Sequence, residues 1–205
     1  MSHVLPQWLA AHAGPVLMVC ALATLLLRRA RLRWQLLASG AMAVLVCVPF
    51  DGLSAAQFAR GWIGDLSITS LLLLGAAVWG GFAGKPLLRR RDLWAVFGFA
   101  AAAGMFLYPM TLGLGSFDPY ELGFAPWWLL GVLLALAITG GVRGNRAAVL
   151  VPVVILAWWA GLLESTNLWD YMLDPLLAIF SLVWIIAAAI RGLVARRSMD
   201  TALKQ

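Results

Sequence analysis

The sequence predicts an all-α integral membrane protein: a single bundle of about seven transmembrane helices, with the N-terminus outside and the C-terminus in the cytoplasm. Hydrophobic residues make up 63% of the 205-residue chain and charged residues 12%, whereas a soluble domain has about 45–50% and about 25%. The apolar residues form runs of about 17–22, the length that crosses a hydrocarbon core of about 30 Å. Lys and Arg cluster between these runs, as they do in membrane proteins.

Seven apolar segments follow one another along the chain. The first lacks the basic start of a cleaved signal peptide, because "MSHVLPQWLAAHAG" contains no Lys or Arg and "RRARLR" follows the segment. The later segments are separated by "DGLS", "GKPLLRRRD", "GLGSFDPYELGFAP", "GVRGNR" and "ESTNLWDY". The predicted helices cover 8–27, 33–50, 55–82, 93–112, 126–141, 147–163 and 171–191. Since every connection is short, we expect one polytopic domain over 1–205 that ends in a short cytoplasmic tail at 192–205.

The charges alternate between the two sides of this arrangement. With the N-terminus outside, all of the 15 Lys and Arg residues except Arg60 fall on the inner side, which is the bias that sets orientation. All nine Asp and Glu residues except Asp92 and Asp200 fall on the outer side. Because acids contribute little to orientation, their segregation indicates a site. We therefore expect a multi-pass protein of a bacterial inner (cytoplasmic) membrane with an acidic site on its periplasmic face.

The third segment carries a polar stripe in "SAAQFARGWIGDLSITS". Gln57, Gly61, Asp65 and Thr69 recur every four residues, so a continuous helix would place them on one face, with Asp65 about one turn inside the hydrocarbon. An ionisable residue at that depth is costly unless it is paired or hydrated, and it is a functional candidate. The alternative is a helix-packing seam in which Asp65 bonds to a neighbouring backbone or to Arg60.

The stretch "ESTNLWDYMLDPLL" places three acids before the seventh segment. On a helix, Asn167, Asp170 and Asp174 would share one face, where like charges four residues apart repel. Asp174 precedes Pro175, which favours an N-cap followed by proline at the first helical position. On that interpretation Asp174→Asn should be mild, because Asn caps nearly as well as Asp. The alternative to a functional site is a capped helix preceded by acids that are only solvated. That alternative explains the position of Asp174, but it does not explain why Asp170 and Glu164 occur together.

The remaining outer connection, "GLGSFDPYELGFAPWW", contains an Asp-Pro turn signal. We assign catalysis to Asp65, Glu164 and Asp170, substrate or head-group binding to Arg60, Asn167, Tyr120 and Trp169, and metal binding to Asp118, Glu121 and Asp174. The metal would be a divalent cation such as Mg²⁺ or Ca²⁺, since both prefer oxygen ligands. We also expect Asp65, Glu164 and Asp170 to approach one another within about one water or one cation, because a lone Asp65 would be too costly.

Residues that several cofactors require are missing from the sequence. Both lysines, Lys85 and Lys204, fall on the inner side, which excludes a retinal Schiff base in the seventh helix. His3 and His12 are the only histidines, so paired haem ligands and a three-His zinc site are excluded. The two cysteines lie in separate apolar runs, which excludes a disulfide framework.

Three functions are compatible with this pattern. An enzyme or enzyme subunit of cell-envelope lipid or lipid-linked glycan processing would use a carboxylate as general base and a divalent ion on a phosphate. A non-catalytic membrane partner or assembly subunit would dock another envelope protein through the acidic face. A cation- or proton-coupled transporter would use Asp65 as its titrating group, although the inner side lacks acids to complete a path. The expected partners are membrane lipids and a membrane or periplasmic protein, and nucleic acid is not expected.

Overall fold

Helices account for nearly all of the regular structure. The computed structural model describes residues 7–202, with side chains from 11 to 195. Its helices are α1 (Gln7–Leu26), α2 (Leu32–Cys47), α3 (Ala55–Ile63), α4 (Ile68–Ala83), α5 (Arg90–Pro109), α6 (Trp127–Val142), α7 (Leu150–Trp159), α8 (Leu168–Met172) and α9 (Pro175–Ala202). A π-helical turn at Met110–Leu114 follows α5, and 3-10 helices lie at Pro119–Gly123 and Arg146–Val149. The one sheet in this part of the chain pairs two-residue strands, β1 (Pro49–Phe50) and β2 (Leu53–Ser54). The predicted all-α class is therefore confirmed.

Two helical stretches are long and apolar enough to cross a membrane by length and composition, Arg90–Leu114 and Pro175–Ala195. Shorter apolar helices lie at Ala11–Leu26, Leu32–Cys47, Ile68–Ala83, Trp127–Val142 and Arg146–Trp159. These stretches occupy the positions of the seven predicted apolar segments. Large apolar side chains on them face outward, including Leu26, Val44 and Ile179, which are 72%, 66% and 61% exposed.

The prediction of one continuous helix over 55–82 is wrong. Gly64 leaves the helix with a φ of +78°, a conformation that favours glycine. Ser67 then caps α4 by accepting the backbone N–H of Ser70 at 3.1 Å. Asp65 consequently lies in the connection between α3 and α4, and the predicted polar stripe is split between two helices.

The interpretation of Asp174 as the cap of a helix that begins at Pro175 is confirmed, whereas the segment boundary predicted at 171 is four residues early. α9 begins at Pro175, and the backbone N–H of Leu177 donates to Asp174 Oδ1 at 2.8 Å, as an N-cap requires. However, α8 is a separate short helix, and an extended residue divides it from α9. The shared helical face predicted for Asn167, Asp170 and Asp174 is therefore wrong, because Asp174 belongs to a different helix.

The core lies where α8 meets its neighbours. Leu168 and Tyr171 of α8 are fully buried, among residues of α4, α5, α6 and α7. α5 also packs closely on α9: an added Cβ at Gly104 would lie 2.6 Å from the Cβ of Ala178. This packing holds the connections on both sides of α8 in fixed positions, and those connections carry the candidate site.

Candidate functional site

The connections that the sequence predicts on the outer side come together at one end of the helices. We call this the outer end and define it as residues 48–67, 110–126 and 160–174. Hydrogen bonds between residues about 50 to 107 positions apart join these three segments. The bonds form three polar groups, centred on Asp174, Arg60 and Asn167.

Asp174 ties the start of α9 to the start of α4. Its Oδ2 accepts the backbone N–H of Ser67 at 3.0 Å, the Ser67 hydroxyl at 2.7 Å and the Ser70 hydroxyl. Its Oδ1 accepts the backbone N–H of Leu177 and so caps α9. Asp174 is 4% exposed, and both serines are buried. A serine beside a carboxylate is a feature of nucleophilic sites, but here the Asp174 carboxylate accepts hydrogen bonds from both serines and caps α9, and all three residues are buried.

Arg60 joins two of the predicted catalytic acids. Its Nε and Nη2 donate to the two carboxylate oxygens of Asp65, and Nη2 also donates to Glu164 Oε1 at 3.3 Å. The hydrogen bond to Asp65 is the main reason that the pKa of Arg60 is raised. All three side chains are partly exposed, and such ion pairs contribute about 0–1 kcal/mol. The pairing of Asp65 with Arg60 is the packing alternative that the sequence allowed.

Asp170 is bonded to a different partner from the other two acids. Its Oδ2 accepts the hydroxyl of Tyr120 at 2.8 Å. Burial, followed by this hydrogen bond, raises the pKa of Tyr120 to about 12. Arg60 therefore brings Asp65 and Glu164 together, whereas Asp170 bonds to Tyr120.

Asn167 fastens the 3-10 helix at Pro119–Gly123 to α8. It is 0% exposed; its Nδ2 donates to the Tyr120 carbonyl at 2.9 Å, and its Oδ1 accepts the Trp169 N–H at 2.9 Å. The Trp169 indole donates to the Pro119 carbonyl at 3.0 Å. Trp169 is only 8% exposed, and both residues, which the sequence predicts as head-group ligands, hold the outer end together.

The predicted metal ligands do not form one site in the structure. Asp118 caps the 3-10 helix, where its Oδ1 accepts the Tyr120 N–H at 2.9 Å and the Thr111 hydroxyl at 3.1 Å. Glu121 is exposed, and Asp174 is buried in its serine cluster. Among residues 11–195, whose side chains the structure describes, no group of three or more His, Cys, Asp or Glu side chains is placed to hold a metal ion.

Several residues that shape the outer end were not singled out in the sequence. The Tyr171 hydroxyl accepts the Leu163 N–H at 2.9 Å, and the Trp158 indole donates to the Thr166 carbonyl at 2.8 Å. Ser67 carried a local signal, because a serine after glycine and before an apolar run is a typical N-cap. The bonds of Tyr171 and Trp158 have no comparable signal, since each joins residues eight positions apart, beyond the reach of a cap or turn pattern.

No family model, curated protein or solved structure matches this chain. Its function must therefore be argued from the geometry of the outer end. That geometry joins polar groups from all three outer connections, but most of the buried ones bond to backbone or to one another.

Proposed function

We propose that the chain is a multi-pass protein of a bacterial inner membrane that crosses the bilayer seven times, with its N-terminus outside. Two long and five shorter apolar helices support the proposal, as do the outward-facing apolar side chains on them. Trp62, Trp127 and Trp128 are at least 80% exposed near the outer end, as expected for aromatic side chains at a membrane interface. The basic clusters lie at the opposite ends of the helices.

This topology predicts the outcome of thiol labelling in intact cells. With Cys20 and Cys47 replaced by alanine, a cysteine at Ser116 should react with a membrane-impermeant maleimide. A cysteine at Arg29 should react only after the membrane is permeabilised. Both positions are exposed, so accessibility depends on the side of the membrane. The reverse labelling pattern would contradict the topology.

We further propose that the chain is a non-catalytic partner that docks another envelope protein. One observation carries this choice: Asp174, Asp170, Asn167 and Trp169 make the hydrogen bonds that build the outer end, and Asp65 is neutralised by Arg60. The residues that the sequence assigns to catalysis or ligand binding thus form hydrogen bonds or ion pairs with other parts of the protein. A transporter that titrates Asp65 within the membrane has less support, because Asp65 lies in a connection and is ion-paired.

The surface available for docking is acidic. Asp51, Glu121 and Glu164 are exposed, and Arg60, the basic residue of the outer end, is already paired with two acids. Asp51 and Gly52 form the turn of the β1–β2 hairpin, with φ of +53° and +86°, so this carboxylate is held on a defined turn. A rigid acidic surface is complementary to a basic surface on a partner, which such a field attracts and orients.

Site-specific photo-crosslinking tests the docking role. A photoreactive amino acid at the exposed Leu122 should give one defined protein adduct in cells, whereas the same group at Val183, on the apolar surface of α9, should not. The combined variant Asp51→Asn, Glu121→Gln and Glu164→Gln should lower the adduct yield several-fold, because rim charges mainly govern association.

Two results would count against docking. One is an adduct whose yield is unchanged in the neutralised variant. The other is an Asp170→Asn protein that keeps its thermal stability and its adduct but fails to complement a deletion strain, since that result would assign Asp170 to catalysis.

A further inference from the structure

An apolar cavity of about 290 Å³ lies between α5, α6 and α7, towards the inner end of the helices. Its volume is near the lower end of the range of about 300–1,000 Å³ for small-molecule sites. The lining is apolar except for Thr69 at the start of α4, Thr139 on α6 and, at the inner end, Arg143 and Asn145. We call this cavity the α6 cleft.

The α6 cleft has the length of one membrane leaflet. Along α6 its lining runs from Leu133 to Arg143, which is about 15 Å at 1.5 Å per residue; the hydrocarbon core of a bilayer is about 30 Å thick. Leu133, Met172 and Leu177 are buried and close the upper end, while Leu136 is 47% exposed at the side. Met172 belongs to the outer end, so the cleft is closed where α8 covers it, while the exposed Leu136 and Arg143 leave it accessible from the lipid side and the inner surface.

The inner end of the cleft is positively charged and held in place. Arg91 donates to the Gly144 carbonyl at 2.7 Å, and the buried Asp92 accepts the backbone N–H of Arg146 at 3.2 Å. These bonds attach the connection after α6 to the start of α5. In the part of the chain with described side chains, the guanidinium of Arg143 forms no salt bridge. Its charge is thus free to meet an anion at the mouth.

We propose that the α6 cleft binds one acyl chain of an anionic phospholipid from the inner leaflet, with the lipid phosphate against Arg143. The apolar lining matches the acyl chain, the length along α6 matches one leaflet, and Arg143, the cation in the lining, matches the phosphate. A protein partner would need to enter from within the bilayer, which the position of the cleft disfavours. The inference rests on the membrane topology proposed above but not on the docking role.

Photo-labelling with a defined lipid tests the proposal. The protein is reconstituted in phosphatidylcholine vesicles that contain a trace of phosphatidylglycerol with a diazirine midway along one acyl chain. After irradiation, adducts should concentrate on 95–100, 133–140 and 151–154. Arg143→Gln should lower their yield about fivefold, since a basic residue near a membrane surface contributes about 1 kcal/mol to the binding of anionic lipid. Arg29→Gln, an exposed arginine remote from the cleft, should leave the yield unchanged.

A second pair of variants separates the cleft from the general lipid surface. Ala95→Phe places a bulky ring at the exposed edge of the cleft and should abolish these adducts, whereas Ala102→Phe, on α5 but outside the lining, should not. Adducts spread evenly over the outer surfaces of the helices would overturn the proposal, and so would equal labelling by a phosphatidylcholine probe. Failure of the topology would instead appear as reversed thiol labelling, so the two failures are distinguishable.

Discussion

Asp174→Asn should lower the free energy of unfolding by about 1.5–3 kcal/mol, because a buried hydrogen bond to a charged carboxylate contributes about that much and one such bond is lost. Asp174 Oδ2 accepts three hydrogen bonds, including one from the Ser67 backbone N–H. An asparagine has only one side-chain oxygen. If that oxygen accepts the Leu177 N–H as the cap of α9, the NH₂ group faces the Ser67 N–H, where two donors meet. If the amide is rotated by 180°, the oxygen accepts the Ser67 N–H and the cap is lost. Thermal unfolding in detergent measures the effect.

Asp118→Asn is the matched control for this substitution. Both side-chain bonds of Asp118 use Oδ1, so the asparagine carbonyl can replace them, and we expect a loss below about 1 kcal/mol. The sequence alone predicts a mild effect for Asp174→Asn, because it treats Asp174 only as a helix cap. The structure predicts a larger loss of stability for Asp174→Asn than for Asp118→Asn. An Asp174→Asn protein as stable as the Asp118→Asn protein would contradict the buried cluster.

Gly123→Ala should also be strongly destabilising, by about 2–4 kcal/mol, because it combines overpacking with the loss of buried hydrogen bonds. An added Cβ would lie 1.7 Å from Asn167 Oδ1 and 2.8 Å from a ring carbon of Trp169. Asn167 would have to leave the position in which it bonds to Tyr120 and Trp169. The same thermal unfolding experiment measures the loss.

Gly131→Ala provides the control, since an added Cβ there meets nothing within 4 Å and alanine is the better helix former in α6. This variant should be neutral or slightly stabilising. In the Gly123→Ala background, Asn167→Ala should cost less than it does alone, because the two substitutions act on one contact. Fully additive effects of Gly123→Ala and Asn167→Ala would show that the Asn167 side chain does not pack against Gly123.

Features of the molecule that depend only on residues close together in the sequence were predictable from it. The apolar segments and the capped start of α9 at Pro175 follow from run length and proline geometry, which operate within a few residues. The break before α4 was predictable for the same reason, since Gly64 and Ser67 are typical of a helix end and a cap. The four-residue repeat of polar residues indicates a continuous helix, and it conflicts with those two signals.

The sequence by itself determined the helical class, the positions of the apolar helices and the opposite distribution of acids and bases. Only the tertiary structure decided what each acid does, because that depends on partners about 50 to 107 residues away: Ser67 for Asp174, Tyr120 for Asp170 and Arg60 for Glu164. The residues next to an acid in the sequence do not show whether that acid is exposed to water or buried against a serine. Their different energies arise from desolvation and from donors that folding brings into reach.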